Sequence, residues 1–155
     1  MIDLEIEYHV SPATVDDARF HQAAQWVLER FQLKSLTVSI SIVDDPTIHR
    51  LNREHLDHDW PTDVISFVFD SDNGHIDGEI IASLDTAARL AQQAACSTED
   101  ELLLYIIHGL LHIAGLDDIT PTTRLQMRQT EQVCLTALGI PTASTHLERW
   151  DSVSY

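Results

Sequence analysis

His108 and His112 stand four residues apart in HGLLHIAGLDD, a stretch that is otherwise nearly apolar. Residues at i and i+4 share one face of a helix, so both imidazoles can reach a single ion. Two histidines sunk in apolar surroundings without partners would be costly, which favours a shared ligand. Gly115 follows and lets the chain turn back sharply. Asp117 and Asp118 come next, and a carboxylate can complete the set. The spacing fits HxxxHxxGxxH, a helix, a glycine turn and a third ligand, with Asp118 in the third position. Three protein ligands with a fourth position left open is the pattern of a hydrolytic zinc centre. The expected ligands are therefore His108, His112 and Asp118, around one zinc or other divalent ion. Asp117 is an alternative third ligand, or a neighbour that orients a histidine. A zinc protease of this kind carries glutamate directly after the first histidine as general base. Gly109 occupies that position, which argues against proteolysis by that route.

A second dense segment is DHDWPTDVISFVFD, where Asp59, Thr62, Asp63 and Ser66 sit beside an apolar run. Composition alone allows a turn capped by Thr and Asp. The functional alternative is a wall of the metal cleft.

The elements that must position these groups are legible as alternations and stripes. Ile2 to Val10 alternates apolar and polar residues and reads as a half-buried strand ended by Ser11-Pro12. Thr14 to Phe31 carries an apolar stripe suited to an amphipathic helix. Leu36 to Val43 alternates again and is rich in β-branched residues. Asp44-Asp45-Pro46 opens a helix expected to run to about Glu54, followed by an irregular loop, HLDHDWPTD. Val64 to Phe69 and Gly78 to Ser83 read as strands around a turn at Ser71 to Gly74. Helices follow over Asp85 to Ala95, from Ser97 or Thr98 through the histidines to Gly115, and over Pro121 to Leu138. The order β-α-β-α-β-β-α-α-α implies an α+β fold, an α/β sandwich with about four strands in a mixed sheet packed by five or so helices. The histidine helix is apolar nearly all round, so it should be central and buried.

The chain has 155 residues and 44% hydrophobic content, enough for one domain, 1–155, with a core that needs no disulfides. Cys96 and Cys134 form no CxxC pair, which suits a reducing compartment. The acidic start MIDLEIEYHV does not read as a signal peptide, and no run reaches the ~18 apolar residues of a membrane helix. A cytoplasmic protein is expected. The formal net charge of −16 repels polyanions at long range and weakens non-specific nucleic-acid binding.

HGLLHIAGLDD, Leu51-Asn52, PTDVISF at 61–67 and GEIIAS at 78–83, in this order, resemble the YbeY family of bacterial rRNA maturation factors, regarded as metal-dependent endoribonucleases. The resemblance covers nearly the whole chain. It implies a single-domain α/β fold with one zinc site, and a role in 16S rRNA 3′-end maturation and ribosome quality control. Single-stranded rRNA and the small ribosomal subunit become the expected partners, with ribosomal proteins or an assembly GTPase beside them, and neither DNA nor membrane. The family's metal triad falls on His108, His112 and residue 118, where the family normally has histidine and this chain has Asp118. The added negative charge makes bound water less acidic and favours harder ions. The family usually carries an arginine a few residues after Leu51-Asn52. That position is Leu56 here, flanked by His55, with Arg53 about one helical turn earlier.

The mechanism expected is metal-assisted phosphodiester cleavage, with Asp117 or Asp63 orienting water and Arg53 and His55 meeting phosphate charge. Two rival readings follow from the departures. One is a catalytically degenerate ribosome-assembly factor with a structural metal. The other is a metallohydrolase of a small or cationic substrate drawn in by the acidic charge.

Overall fold

Strand β1 (Ile2–Tyr8) turns Ile2, Leu4, Ile6 and Tyr8 inward and leaves Asp3, Glu5 and Glu7 exposed, as a period of two requires. The structure, a computed structural model, describes residues 1–10, 16–56 and 62–140. Ser11-Pro12, Thr14, residues 57–61 of the expected loop, including Asp59, and the tail from Pro141 lie outside the described residues. After β1 come α1 (Asp17–Arg30), β2 (Ser35–Val43), α2 (Asp45–Leu56), β3 (Val64–Asp72) and β4 (His75–Ser83). The chain then forms α3 (Leu84–Ala94), α4 (Thr98–Ile113) and α5 (Pro121–Ala137). The element order is the expected one, and the fold is α+β.

The four strands lie in the order β1-β2-β4-β3. β1 runs parallel to β2 and β2 parallel to β4, while β3 is antiparallel to β4, so the sheet is mixed. Leu36, Val38, Ile40 and Ile42 of β2 and Ile76, Ile80 and Ala82 of β4 line its inner face. α4 lies across that face, touching β3, β4, α1, α3 and α5, and is buried along nearly all its length. Gly109 permits the close approach, since a Cβ there would stand 3.0 Å from three side-chain carbons of Ile80. α2 covers part of the other face, where Val43, Ile48, Ile65 and Ile81 form a second apolar cluster. Asp45 ties α2 to α3 by accepting from Ser83 Oγ and Thr86 Oγ1, both at 2.6 Å, and from Arg89 Nη1 at 3.0 Å. Among the described residues no helix is long and apolar enough to cross a membrane.

Boundaries differ from the sequence reading where hydrogen bonding rather than burial decides them. β3 continues to Asp72 through exposed Asp70 and Ser71, which hydrophobic alternation does not reveal, and β4 begins at His75, where buried Ile76 stands alone between exposed His75 and Asp77. The connecting residues Asn73 and Gly74 both have positive φ (52° and 84°), which suits a two-residue hairpin turn. α1 starts at Asp17 because the Asp16 carboxylate caps it, accepting from the Ala18 N–H at 3.0 Å.

Candidate metal centre

α4 is held at both ends by local chemistry. Ser97 Oγ accepts from the Asp100 N–H at its start, and Glu99, Asp100 and Glu101 complement the helix dipole there. At its far end Gly115 takes a φ of 114°, which L side chains rarely adopt. Thr120 then caps α5 in a reciprocal box with Thr123. The short segment between these two fixed points carries Asp117 and Asp118 back over the last turn of α4.

This path brings His108, His112 and Asp118 together. Asp118 Oδ2 lies 3.5 Å from His108 Nε2, and Asp118 Oδ1 lies 3.5 Å from His112 Nε2. The two rings meet edge to face, with centroids 4.5 Å apart at 81°. One ligand atom from each of the three residues falls within 4.8 Å of the others. Tetrahedral zinc with bonds of about 2.0–2.1 Å separates its ligand atoms by about 3.3 Å, so the donors would draw together by at most about 1.5 Å to hold an ion. The His108 side chain is 3% exposed, Asp118 14% and His112 27%, so the cluster opens to solvent on the His112 side.

Behind His108 lies a buried ionic layer supplied by α5. Glu131 Oε2 accepts from His108 Nδ1 at 2.9 Å, which leaves the Nε2 lone pair facing Asp118. Arg128 Nη1 donates to both oxygens of Glu131, at 2.7 Å to Oε2. Arg128 Nη2 stands 3.7 Å from Asp118 Oδ2. Burial alone would push the Asp118 carboxyl upward. The hydrogen bond with His112 and the electrostatic attraction of His112, His108 and Arg128 outweigh it and hold Asp118 below the usual carboxylate range. The donor set thus suits a divalent cation: an ionised carboxylate, an imidazole oriented from behind and a second imidazole at the open side.

The other residues singled out from sequence lie elsewhere. Asp117 is exposed and outside the three-residue cluster. Its carboxyl is lowered by its hydrogen bond with Thr123 first, then by the Ile119 N–H, which it accepts at 3.2 Å. Asp63 is buried at the start of β3, accepting from the Val64 N–H at 2.8 Å and Thr62 Oγ1 at 3.3 Å. Its carbonyl accepts from the Ser83 N–H, fastening β3 to β4. Arg53 is exposed on α2, two residues from His55, whose ring meets Phe67 edge to face at 6.1 Å. Leu56 is the last residue of α2. Sequence reasoning missed Glu131 and Arg128. A signal was present, because Glu131 falls on the same stripe as Met127, Cys134 and Leu135, the face α5 buries.

Residues 5–139 match the protein family described as Endoribonuclease YbeY. A protein of that name from Rhodopirellula baltica is 45% identical over 106 residues, covering 67% of this chain but only 55% of its own length. One from Chloroherpeton thalassium is 38% identical over 122 residues, covering 79% of this chain and 86% of its own. One from Salinibacter ruber is 33% identical over 143 residues, covering 87% and 91%. A Thermotoga maritima protein solved in solution shares the fold with a TM-score of 0.58, at 19% identity over 98% of this chain and 99% of its own.

Proposed function

The chain belongs to the Endoribonuclease YbeY family, and on that premise we propose that it is a zinc-dependent endoribonuclease of 16S rRNA 3′-end maturation and ribosome quality control. In this reading residues 1–155 act as one domain, in the cytoplasm, on single-stranded rRNA of the small ribosomal subunit. The observation that carries the reading is the pair of 3.5 Å separations that place both Nε2 atoms against the Asp118 carboxylate, with His108 oriented by Glu131.

His108, His112 and Asp118 hold the ion. When bound it supplies Lewis-acid polarisation of a phosphate and activation of water. Glu131 keeps the His108 proton on Nδ1, so that Nε2 remains a donor of electrons. Asp117 and Asp63 are the two carboxylates offered for orienting water, and Asp117 is the accessible one. Arg53, exposed on α2, is the cation offered to phosphate charge in place of the arginine that Leu56 replaces. The net charge of −16 favours a second reading, a ribosome-binding factor whose metal is structural.

The test is cleavage of a single-stranded rRNA 3′-end fragment by purified protein, with and without chelator, beside Asp118→Ala. Cleavage that chelator stops and the substitution abolishes supports the nuclease. Intact RNA after incubation with zinc-loaded protein rejects it in favour of the binding factor.

A further inference from the structure

Arg128 is 1% exposed, yet a long cation is an expensive way to fill a core position on α5. Its burial also keeps it from reaching RNA. Its two terminal nitrogens divide their work. Nη1 serves Glu131, the carboxylate that orients His108, and Nη2 faces Asp118 Oδ2 at 3.7 Å. The first contact is an ion pair between residues three apart on one helix and would serve stability alone. The second crosses from α5 to the turn after α4 and serves the cluster. Imidazoles that ligate an ion are neutral, so two carboxylates and one guanidinium would leave the ligand shell one negative charge, whereas without Arg128 there would be two.

We propose that Arg128 is a positioning residue of the metal centre, a built-in counter-cation that offsets the charge Asp118 brings and competes with the divalent ion for that carboxylate. It holds Asp118 turned toward the histidines, and it weakens the grip on the ion, so that the site exchanges metal. The inference rests on the reading of His108, His112 and Asp118 as ligands. It makes the sign of each charge change predictable, because removing a cation must tighten cation binding while removing an anion must weaken it. A residue that only braced the fold would weaken binding when replaced.

The experiment is zinc affinity of the full chain, measured by competition with a chromophoric chelator, with circular dichroism to verify folding. Arg128→Met is expected to bind zinc about tenfold or more tightly than wild type, and Arg128→Lys, which keeps the charge, within about threefold of it. Asp118→His, which keeps a ligand and removes its charge, is expected to bind about tenfold or more weakly. Asp118→His combined with Arg128→Met restores the charge balance and is expected to return to within about threefold of wild type. This double variant leaves the question answerable if Arg128→Met alone does not fold. Unchanged or weaker binding by folded Arg128→Met overturns the proposal, as does a double variant no better than Asp118→His. If wild type itself takes up no zinc, the ligand assignment falls and this inference with it. If wild type binds and the signs are wrong, only this inference falls.

Discussion

Replacing Glu131 by glutamine tests the buried layer behind His108 with the smallest change of shape. Glu131 is fully buried and accepts from His108 Nδ1 at 2.9 Å and from Arg128 Nη1 at 2.7 Å. A glutamine offers one carbonyl oxygen to these two donors. In the place of Oε2 that oxygen can still accept from both, but the amide N–H then faces Arg128 Nη1 where Oε1 accepted; turned the other way, the amide N–H faces His108 Nδ1. Removing one member of a buried ion pair costs about 3–5 kcal/mol, because the remaining charge is left in a medium that solvates it poorly. Asp118, 3.7 Å from the other Arg128 nitrogen, takes up part of that charge, which puts the loss at the lower end, about 3 kcal/mol. For a chain of this size that is a fall in Tm of about 6–12 °C. Metal affinity should fall about 10–100-fold, since the group behind His108 loses the negative charge that makes the imidazole a stronger ligand. The assay is thermal unfolding followed by circular dichroism, in chelator and in excess zinc, with zinc affinity by competition. A variant that melts within about 2 °C of wild type and binds zinc equally well would refute the claim that this layer supports both fold and site.

Other consequences are as direct. His112→Ala should lose zinc from the purified protein together with RNA cleavage, and metal retained at full stoichiometry by elemental analysis would remove His112 from the ligand set. Gly109→Ala gains about 1 kcal/mol of helix propensity. It also presses a Cβ to 3.0 Å from three carbons of fully buried Ile80. Overpacking of about 1–3 kcal/mol should win, lowering Tm by a few degrees in the same melting assay. A thiol reagent at pH 8 should label exposed Cys96 and spare Cys134 until the protein unfolds, as mass spectrometry would show. Burial, with the Glu131 charge adding to it, pushes the Cys134 thiol up to about 12. The folded value lies above the unfolded one, so its stabilising contribution is complete below about pH 8.5 and is lost as pH rises toward 12. Cys134→Ala should flatten that alkaline decline in denaturant titrations.

What the sequence disclosed and what it withheld divide along the range of the interactions. Strands β1 and β2 were legible because each buries one face, so that Ile2, Leu4 and Ile6, and then Leu36, Val38 and Ile40, alternate with residues that meet water. The histidine helix was legible because the four-residue spacing of His108 and His112 and its apolar surroundings are both local. The far end of β3 was not, since Asp70, Ser71 and Asp72 pair with β4 through backbone hydrogen bonds that leave no mark on side-chain polarity. The choice between Asp117 and Asp118 was open for a related reason. Adjacent residues in a turn point apart, and which one faces the histidines depends on where α5 begins. Thr120 settles that point by capping α5, and Asp117 is drawn into the same cap through Thr123, leaving Asp118 to face the cluster. Glu131 and Arg128 lie 23 and 20 residues from His108, and no spacing rule joins them to it. Their mark was a pair of charges set among Met127, Cys134 and Leu135 on the side of α5 that should be apolar. Charges in that position are too costly to bury without partners. Here the partners are a metal-ligand candidate and its neighbouring carboxylate, so the anomaly in the pattern of α5 and the hidden half of the site are one feature.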